Sequence, residues 1–393
     1  MPPSDHQETS SVPFSAIRRV ISSIRSDQIH AMEINKDANI QNPEFELFHK
    51  HVFDRFHHLS EPTSDDFLSI SWIQKLLDAF FTSLEEFRVL LSKNTDRLQK
   101  PAMDKILSEF FDKSIKALDI CNAIRDGIEK IRVWQKHLEI VLSALDGKQR
   151  TATGEGNFRR ARKALMELSL MMLDEKESGS GSSMFQQRNR SFNRHNSVGI
   201  KDRQSRHSRS LSWSVSRSWS ASKQLQSIAN NLIPPRGNEV IASNGLANPI
   251  YTMSSVLMFV LWTLVAAIPC QDRGLNAHFS FGRNLNWAVP MVLIQERILE
   301  EGRKREHRSC NGLMKEVVDM EKCVRRLTEM VDSVRFPVTE ERKEEVGKGV
   351  EELERIVSGF KKSNDPLEKQ LRLIFHKIMS CRTEGLELLN QAK

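Results

Sequence analysis

Residues 256–271 read VLMFVLWTLVAAIPCQ, and this stretch decides how the rest of the chain can fold. A membrane-spanning helix needs about 20 mostly apolar residues, and the range 250–270 supplies that length. Its most apolar part, from Val256 to Ile268, is shorter and includes Thr263, which is more typical of a buried core helix. The composition leaves both interpretations open.

The residues on either side of this segment do not distinguish a membrane-spanning helix from a buried core helix. No charged residue lies between Val240 and Gln271, and arginines occur on both sides. If the segment spans a membrane, the helices before and after it lie on opposite sides; if it does not, one bundle can hold both. The candidate residues for either role are Val256, Leu257, Phe259, Leu261, Trp262, Leu264 and Ile268.

Most of the 393-residue chain shows helical periodicity. Phe45, Phe48, Val52 and Phe56 share one helical face, and a longer apolar seam follows Pro101. Further stripes follow the apolar segment. Long periodic segments with short turns predict an all-α fold, with one or more elongated antiparallel helical bundles, a disordered Ser/Arg-rich insert and one strongly apolar helix.

Local signals predict some helix ends. Ser71 and Gln74 form a capping-box pattern, which predicts a helix that begins after Ser71. Asp365 before Pro366 predicts a helix start near residue 365. Gly127 marks a point where the long seam is expected to bend.

Composition divides the chain into five regions. They are a mobile N-terminal arm (1–42), an N-terminal helical region (43–175), a disordered basic Ser-rich linker (176–238), the apolar helix (250–270) and a C-terminal helical region (290–393).

No common catalytic or metal-binding layout is present in the sequence. The five cysteines are far apart and form no CxxC pair, which favours thiols in a reducing compartment over disulfides or zinc. A cluster of histidines near a helix start is better explained as polar positions beside the Phe seam than as a metal site; these are His49, His51, His57 and His58. We therefore expect no enzymatic activity, cofactor or metal.

The positive charge of the chain is concentrated in one segment. Between Gln186 and Lys223, nine basic residues face a single acidic one, which gives +8, whereas the whole chain carries +7. A local basic segment predicts an anionic partner, and a membrane surface fits this best. The candidate membrane contacts are Arg188, Arg190, Arg194, Arg203, Arg206, Arg209, Trp213 and Trp219.

Four serines in this segment lie three residues after an arginine, the spacing that favours a basophilic kinase. These candidate phosphorylation sites are Ser191, Ser197, Ser212 and Ser220. Each phosphate adds about −1.5 to −2, so four would nearly cancel the segment's charge and release it from a membrane. A flexible linker with incidental charge is an equal alternative. RNA binding ranks last, since no RNA-binding fold accompanies the segment, and no nucleic-acid partner is expected.

Several longer stretches identify a family. They include FELFHKHVFDRF (45–56), WIQKLLDAF (72–80), GNFRRARKAL (156–165), YTMSSVLMFVLWTLVAAIPCQDRGL (251–275) and DPLEKQ (365–370). In these stretches the chain resembles the plant ROH/BYPASS-like family. The resemblance covers nearly all of the sequence after residue 42.

This resemblance implies a non-enzymatic, membrane-associated adaptor that contacts the phosphoinositide-binding subunit of the exocyst tethering complex. Its expected role is in plant polarised secretion or developmental signalling. The expected location is the cytoplasmic face of a membrane, either single-pass or peripheral, or the cytosol. An alternative is a regulator of a mobile small-molecule root-to-shoot growth signal that acts through enzyme partners. The family has no defined active residues to carry over.

Overall fold

The computed structural model describes residues 42–61, 66–145, 154–177, 220–270, 279–282, 285–305 and 311–391. Every regular element in these ranges is a helix, and they contain no strand. The predicted all-α class is therefore confirmed for the part of the chain that the structure describes.

The helices are numbered in chain order. The first six are α1 (Pro43–Ser60), α2 (Ile70–Lys93), α3 (Thr95–Leu98), α4 (Pro101–Leu145), α5 (Glu155–Glu177) and α6 (Ala221–Asn230). The next five are α7 (Gly237–Ala242), α8 (Ala247–Ala267), α9 (Val289–Lys304), α10 (Lys315–Ser333) and α11 (Glu340–Gln391). A 3₁₀ helix, Asn286–Ala288, leads directly into α9.

The two longest helices, α4 and α11, run antiparallel along each other. Arg132 pairs with Asp365 at 2.7 Å, and further along α4 Glu139 pairs with Lys361 at 3.0 Å. The described residues from Glu44 onward form one compact unit with a single hydrophobic core. Helices of the predicted regions 43–175 and 290–393 therefore share that core.

The apolar helix α8 lies at the centre of this core. It packs against α2, α4, α6 and α9, and all of its residues except Asn248 are buried. By length and composition it is the one described helix that could cross a membrane, and its most apolar 18-residue window is 100% buried within the protein. The same composition also suits the core helix of a soluble protein, and here protein surrounds it on all sides.

The C-terminal end of α8 is joined to the segment before α10 by backbone hydrogen bonds. The last carbonyls of a helix lack partners within the helix. Here the amide of Leu313 donates to the carbonyl of Ala266 at 3.0 Å, and that of Met314 donates to Ala267 at 2.9 Å. The backbones approach so closely that a Cβ atom on Gly312 would lie 2.4 Å from the Ala267 carbonyl oxygen.

Aromatic side chains outside the long helices also pack against α8. The ring of Phe56 on α1 meets the edge of Phe259 at a centroid distance of 5.8 Å. Phe279 contacts Trp262 at 5.6 Å. Trp287 in the 3₁₀ helix contacts Tyr251 at 6.3 Å. Helix α1 and residues 279–282 and 285–288 thus contribute to the enclosure of α8.

The N-cap of α2 is two residues earlier than its capping-box pattern predicted. The helix begins at Ile70, and the Ser69 hydroxyl accepts a hydrogen bond from the Trp72 amide at 3.1 Å. Ser71 lies inside the first turn. The prediction was wrong because Ile70 and Trp72 are both core residues, and burying them requires helix from residue 70 onward.

The predicted helix start at Asp365 is also wrong, since α11 continues through Pro366. Proline inside a helix costs about 3 kcal/mol, because it removes one backbone hydrogen bond and crowds the preceding turn. Tertiary contacts on both sides offset this cost. Asn364 and Leu367 are buried, and Asp365 pairs with Arg132 on α4 instead of capping a helix.

The last part of the range 176–238, which was predicted as a linker, contains a helix in the structure. Helix α6 lies there, with Ala221, Leu225 and Ile228 buried against α4 and α8. A short apolar stripe therefore outweighs the polar composition around it. Residues 178–219 lie outside the described residues, as do residues 1–41 of the predicted arm.

Gly127, where a bend was predicted, allows close packing between two helices. Helix α4 is continuous through it. A Cβ atom at this position would lie 2.8 Å from Cγ2 of Ile268 and 2.9 Å from the Pro269 carbonyl oxygen. The absence of a side chain thus allows α4 to touch the end of α8.

This contact predicts opposite effects for the same substitution at two helical glycines. Gly127→Ala should lower the free energy of unfolding by about 1–3 kcal/mol through overpacking. Gly359→Ala on α11, where a Cβ would meet nothing within 4 Å, should raise it by about 0.5–1 kcal/mol. Chemical denaturation of both variants measures the difference. A stabilised Gly127→Ala protein would contradict the packing of α4 on α8.

Candidate functional site

The apolar candidates of the sequence all lie in the core. Each is at most 2% exposed; they are Val256, Leu257, Phe259, Leu261, Trp262 and Leu264 in α8 and Ile268 at its C-terminal end. Their surroundings are protein side chains from both halves of the chain. In this structure they act as core residues.

Three of the hydroxyl groups that dilute the apolar segment are satisfied inside the helix, whereas the buried Thr252 hydroxyl has no hydrogen-bond partner among the described residues. Ser254 donates to the carbonyl of Ile250 at 2.9 Å, and Ser255 donates to Tyr251 at 2.8 Å. Thr263 donates to the carbonyl of Phe259 at 2.9 Å. Because each hydroxyl bonds four residues back, none of the three needs water or a ligand inside the core.

Most of the candidate membrane contacts and phosphorylation sites lie outside the described residues. These are Ser191, Ser197, Ser212, Arg188, Arg190, Arg194, Arg203, Arg206, Arg209, Trp213 and Trp219. The structure describes the helices on either side: α5 ends at Glu177 and α6 begins at Ala221, and both pack against α4. The basic segment is thus inserted between two helices that rest on the same long helix.

Ser220 is the one candidate phosphorylation site that the structure describes, and it is buried. It is the N-cap of α6, and its hydroxyl accepts a hydrogen bond from the Lys223 amide at 3.1 Å. Helix α6 is held further by Ser227, which accepts a bond from the Lys116 ammonium at 2.7 Å. Phosphorylation of Ser220 would therefore require the first turn of α6 to open.

The four histidines of α1 are not brought together at one site. His49 stacks on Trp287 at 6.2 Å, and burial lowers its pKa to about 4. His51 bonds to Glu86 at 2.7 Å, while His57 and His58 are exposed near the end of α1. Within the described ranges, no group of three or more histidine, cysteine or acidic side chains is placed to bind a metal ion.

The described cysteines are buried or half-buried thiols, and none of the four is in a disulfide. Burial raises the pKa of the Cys121 thiol to about 12, and it does the same for Cys323 and Cys381. Since the thiolate is the reactive form, these three side chains are poor nucleophiles at neutral pH.

Glu316 is an important residue that sequence reasoning missed. It lies in the first turn of α10, and its carboxylate oxygens accept from the Ile70 amide at 3.0 and 3.1 Å. Burial raises the pKa of this carboxyl, and this outweighs the lowering effect of the Ile70 amide. The partners are 246 residues apart, so no local pattern could have revealed the pair.

Glu321 on the same helix performs a similar structural task. It accepts from the backbone amide of Asn311 at 2.8 Å and from the Asn311 side chain at 3.0 Å. Burial also raises the pKa of this carboxyl. These two half-buried acids of α10 thus fix the chain just before α10 and the start of α2, which is a structural role.

Comparisons with a family model and with individual proteins all indicate the same family. A family model described as "ROH1-like: Protein ROH1-like" matches residues 8–389. The chain is similar to Protein ROH1D of Arabidopsis thaliana, with 45% identity over 396 residues that cover 100% of this chain and 99% of the relative. It is 35% identical over 402 residues to Protein ROH1A of the same plant, with 94% of each chain covered. No solved structure matches.

The N-cap role of Ser220 predicts a specific pattern of variants. Ser220→Ala should lower the free energy of unfolding by about 1 kcal/mol, because the Lys223 amide loses its partner. Ser220→Asp should retain most of the stability, since aspartate is an equally good N-cap. Denaturant unfolding measures both, with Ser358→Ala on the exposed face of α11 as a neutral control. Equal losses for alanine and aspartate would contradict the capping role.

The raised pKa of Glu316 predicts a pH-dependent contribution to stability. The folded protein holds this proton at a higher pH than the unfolded chain does, so the contribution falls as pH rises from the ordinary glutamate range through the raised pKa. Glu316→Gln removes this titration.

The test follows the unfolding free energy of both proteins from acid to neutral pH. The stability of the wild type relative to Glu316→Gln should decline as pH rises. A relative stability that increases with pH would mean that the amide of Ile70 dominates over burial.

Proposed function

The chain belongs to the ROH1-like family, and from this membership we propose that it is a non-enzymatic, membrane-associated adaptor of the exocyst tethering complex. Its role would lie in plant polarised secretion or developmental signalling. The attachment to the membrane would be peripheral, through the basic segment between α5 and α6.

The observation that carries the proposal is the complete enclosure of α8. Helices from both halves of the chain surround it, and the amides of Leu313 and Met314 bond to its last carbonyls. This packing supports a protein whose N-terminal and C-terminal helices lie on the same side of a membrane. A spanning α8 would have to lose these contacts, and membrane affinity is then better assigned to another part of the chain.

The basic segment supplies that affinity in the proposal. Basic residues near an anionic leaflet contribute about 1 kcal/mol each, and the segment carries nine of them. Because Ser220 is a buried N-cap, three of the four candidate serines remain for a basophilic kinase. Three phosphates add about −4.5 to −6, which would weaken a +8 segment without reversing its sign.

The proposed partner is the phosphoinositide-binding subunit of the exocyst. This part of the proposal rests on the family resemblance. Physically, an adaptor and a subunit that bind the same leaflet meet at a raised local concentration, so a weak helix-to-helix contact suffices for a stable assembly. The partner is tested by purifying the tagged protein from plant cells and identifying exocyst subunits that elute with it.

Membrane fractionation tests the mode of attachment. Tagged protein in plant membranes is washed with high salt, then alkaline carbonate, then detergent. We expect release by high salt, because salt screens the attraction between arginines and anionic lipids. A variant with Ser191→Asp, Ser197→Asp and Ser212→Asp should shift toward the soluble fraction.

The matched control carries alanine at the same three serines and should stay with the membranes. Release by detergent alone would overturn the peripheral model and assign α8 to the bilayer. Membrane binding by the aspartate variant equal to that of the alanine control would overturn the phosphorylation switch.

A further inference from the structure

The surface segment 233–242, here called the excursion, is unusually exposed. Residues 233–242 lie between buried Leu232 and buried Ser243, and no residue in this stretch of ten is itself buried. The chain thus leaves the core, runs over the surface and returns to the start of α8. Compact excursions of this kind often carry function.

This excursion is apolar, although surface loops are usually polar. Six of its ten side chains are apolar: Ile233, Pro234, Pro235, Val240, Ile241 and Ala242. Ile233 is 70% exposed and Ile241 is 57% exposed, more than any other large hydrophobic side chain in the described ranges. Apolar groups held in water at such exposure favour a site of contact with another surface.

The loop has a defined conformation. Pro234 and Pro235 each have a fixed φ, which limits the freedom of the chain before α7. The amide of Val240 donates to the carbonyl of Arg236 at 2.9 Å, and the Arg236 amide donates to the Glu239 carboxylate at 2.8 Å. The isoleucines are therefore presented without a large further loss of conformational entropy on binding.

The loop follows the basic segment closely along the chain. Helix α6 has 10 residues, which span about 15 Å, and two residues, Asn231 and Leu232, separate it from Ile233. Ile233 therefore lies within roughly 25 Å of Ser220, where the described chain resumes after the basic segment.

We propose that the excursion 233–242 is a membrane-contact loop that inserts Ile233 and Ile241 into the headgroup region of an anionic leaflet. The inference rests on the proposed peripheral attachment and adds a second, apolar contact to it. Basic residues that bind headgroups beside apolar side chains that reach the acyl boundary match the two layers of a leaflet. The Arg236 and Glu239 charges cancel, so the loop itself contributes through apolar contact.

Vesicle sedimentation tests the loop with the full-length protein. The vesicles contain phosphatidylcholine with phosphatidylserine, and binding is measured at low and high salt. Ile233→Ser with Ile241→Ser should weaken binding about tenfold at both salt concentrations, because apolar contact is not screened. Ile233→Leu with Ile241→Leu should restore it.

The matched control replaces two similarly exposed apolar side chains far along the sequence on α5. Met166 and Leu170 are 55% and 52% exposed, and Met166→Ser with Leu170→Ser should leave vesicle binding unchanged. Thermal unfolding of each variant confirms that the serines do not alter the fold.

The outcomes separate the loop from the proposal on which it rests. If the wild type does not bind anionic vesicles at all, both are wrong. If the wild type binds and the isoleucine-to-serine variant binds equally well, the loop is wrong and the basic segment alone is the attachment. If that variant binds vesicles normally but loses a protein that co-purifies with the wild type, the loop contacts a protein, which also overturns the inference.

Discussion

The architecture of this protein depends on the burial of one helix that has no polar face. An ordinary surface helix needs cover on a single apolar stripe, whereas α8 is apolar around its whole circumference and needs cover on every side. Burying a large apolar side chain contributes about 1.5–3 kcal/mol, so the residues of α8 supply much of the stabilisation of the core. That demand explains why elements as distant in sequence as α1 and α9 meet around it.

Apolar attraction alone would not give a unique arrangement, because it has no direction. Direction comes from a small set of polar contacts at helix ends. The Ala266 and Ala267 carbonyls bond to the amides of Leu313 and Met314, and Glu316 holds the amide of Ile70. The ends of α8, α2 and α10 are thus fixed relative to one another at a single junction. Along the sequence, the basic segment falls between α5 and α6, outside the elements that meet at this junction.

The sequence was informative where the physics is local and uninformative where partners are distant. The apolar stripes and Pro101 predicted the helices because periodicity and helix starts depend on neighbouring residues. The helix starts predicted at Ser71 and Asp365 were wrong, although both residues suit an N-cap. The burial of Ile70 moved the first start, and Asp365 pairs with Arg132 inside a longer helix. The roles of Glu316 and Ser220 required knowledge of which helices meet, and no spacing encodes that. The basic segment, read from charge alone, lies outside the described residues.

The enclosure of α8 by later helices also bears on how the chain is made. At about 5–20 residues per second, the ribosome needs roughly 6–25 s to pass from the end of α8 to the end of α11. During part of that interval the most apolar stretch of the chain has left the ribosome without α9 and the Leu313–Met314 backbone, which contact its helix in the folded protein. To the machinery that sorts nascent chains, it has the features of a membrane anchor. Until α9 and the segment before α10 have been made, this stretch therefore lacks part of the cover that it has in the folded protein.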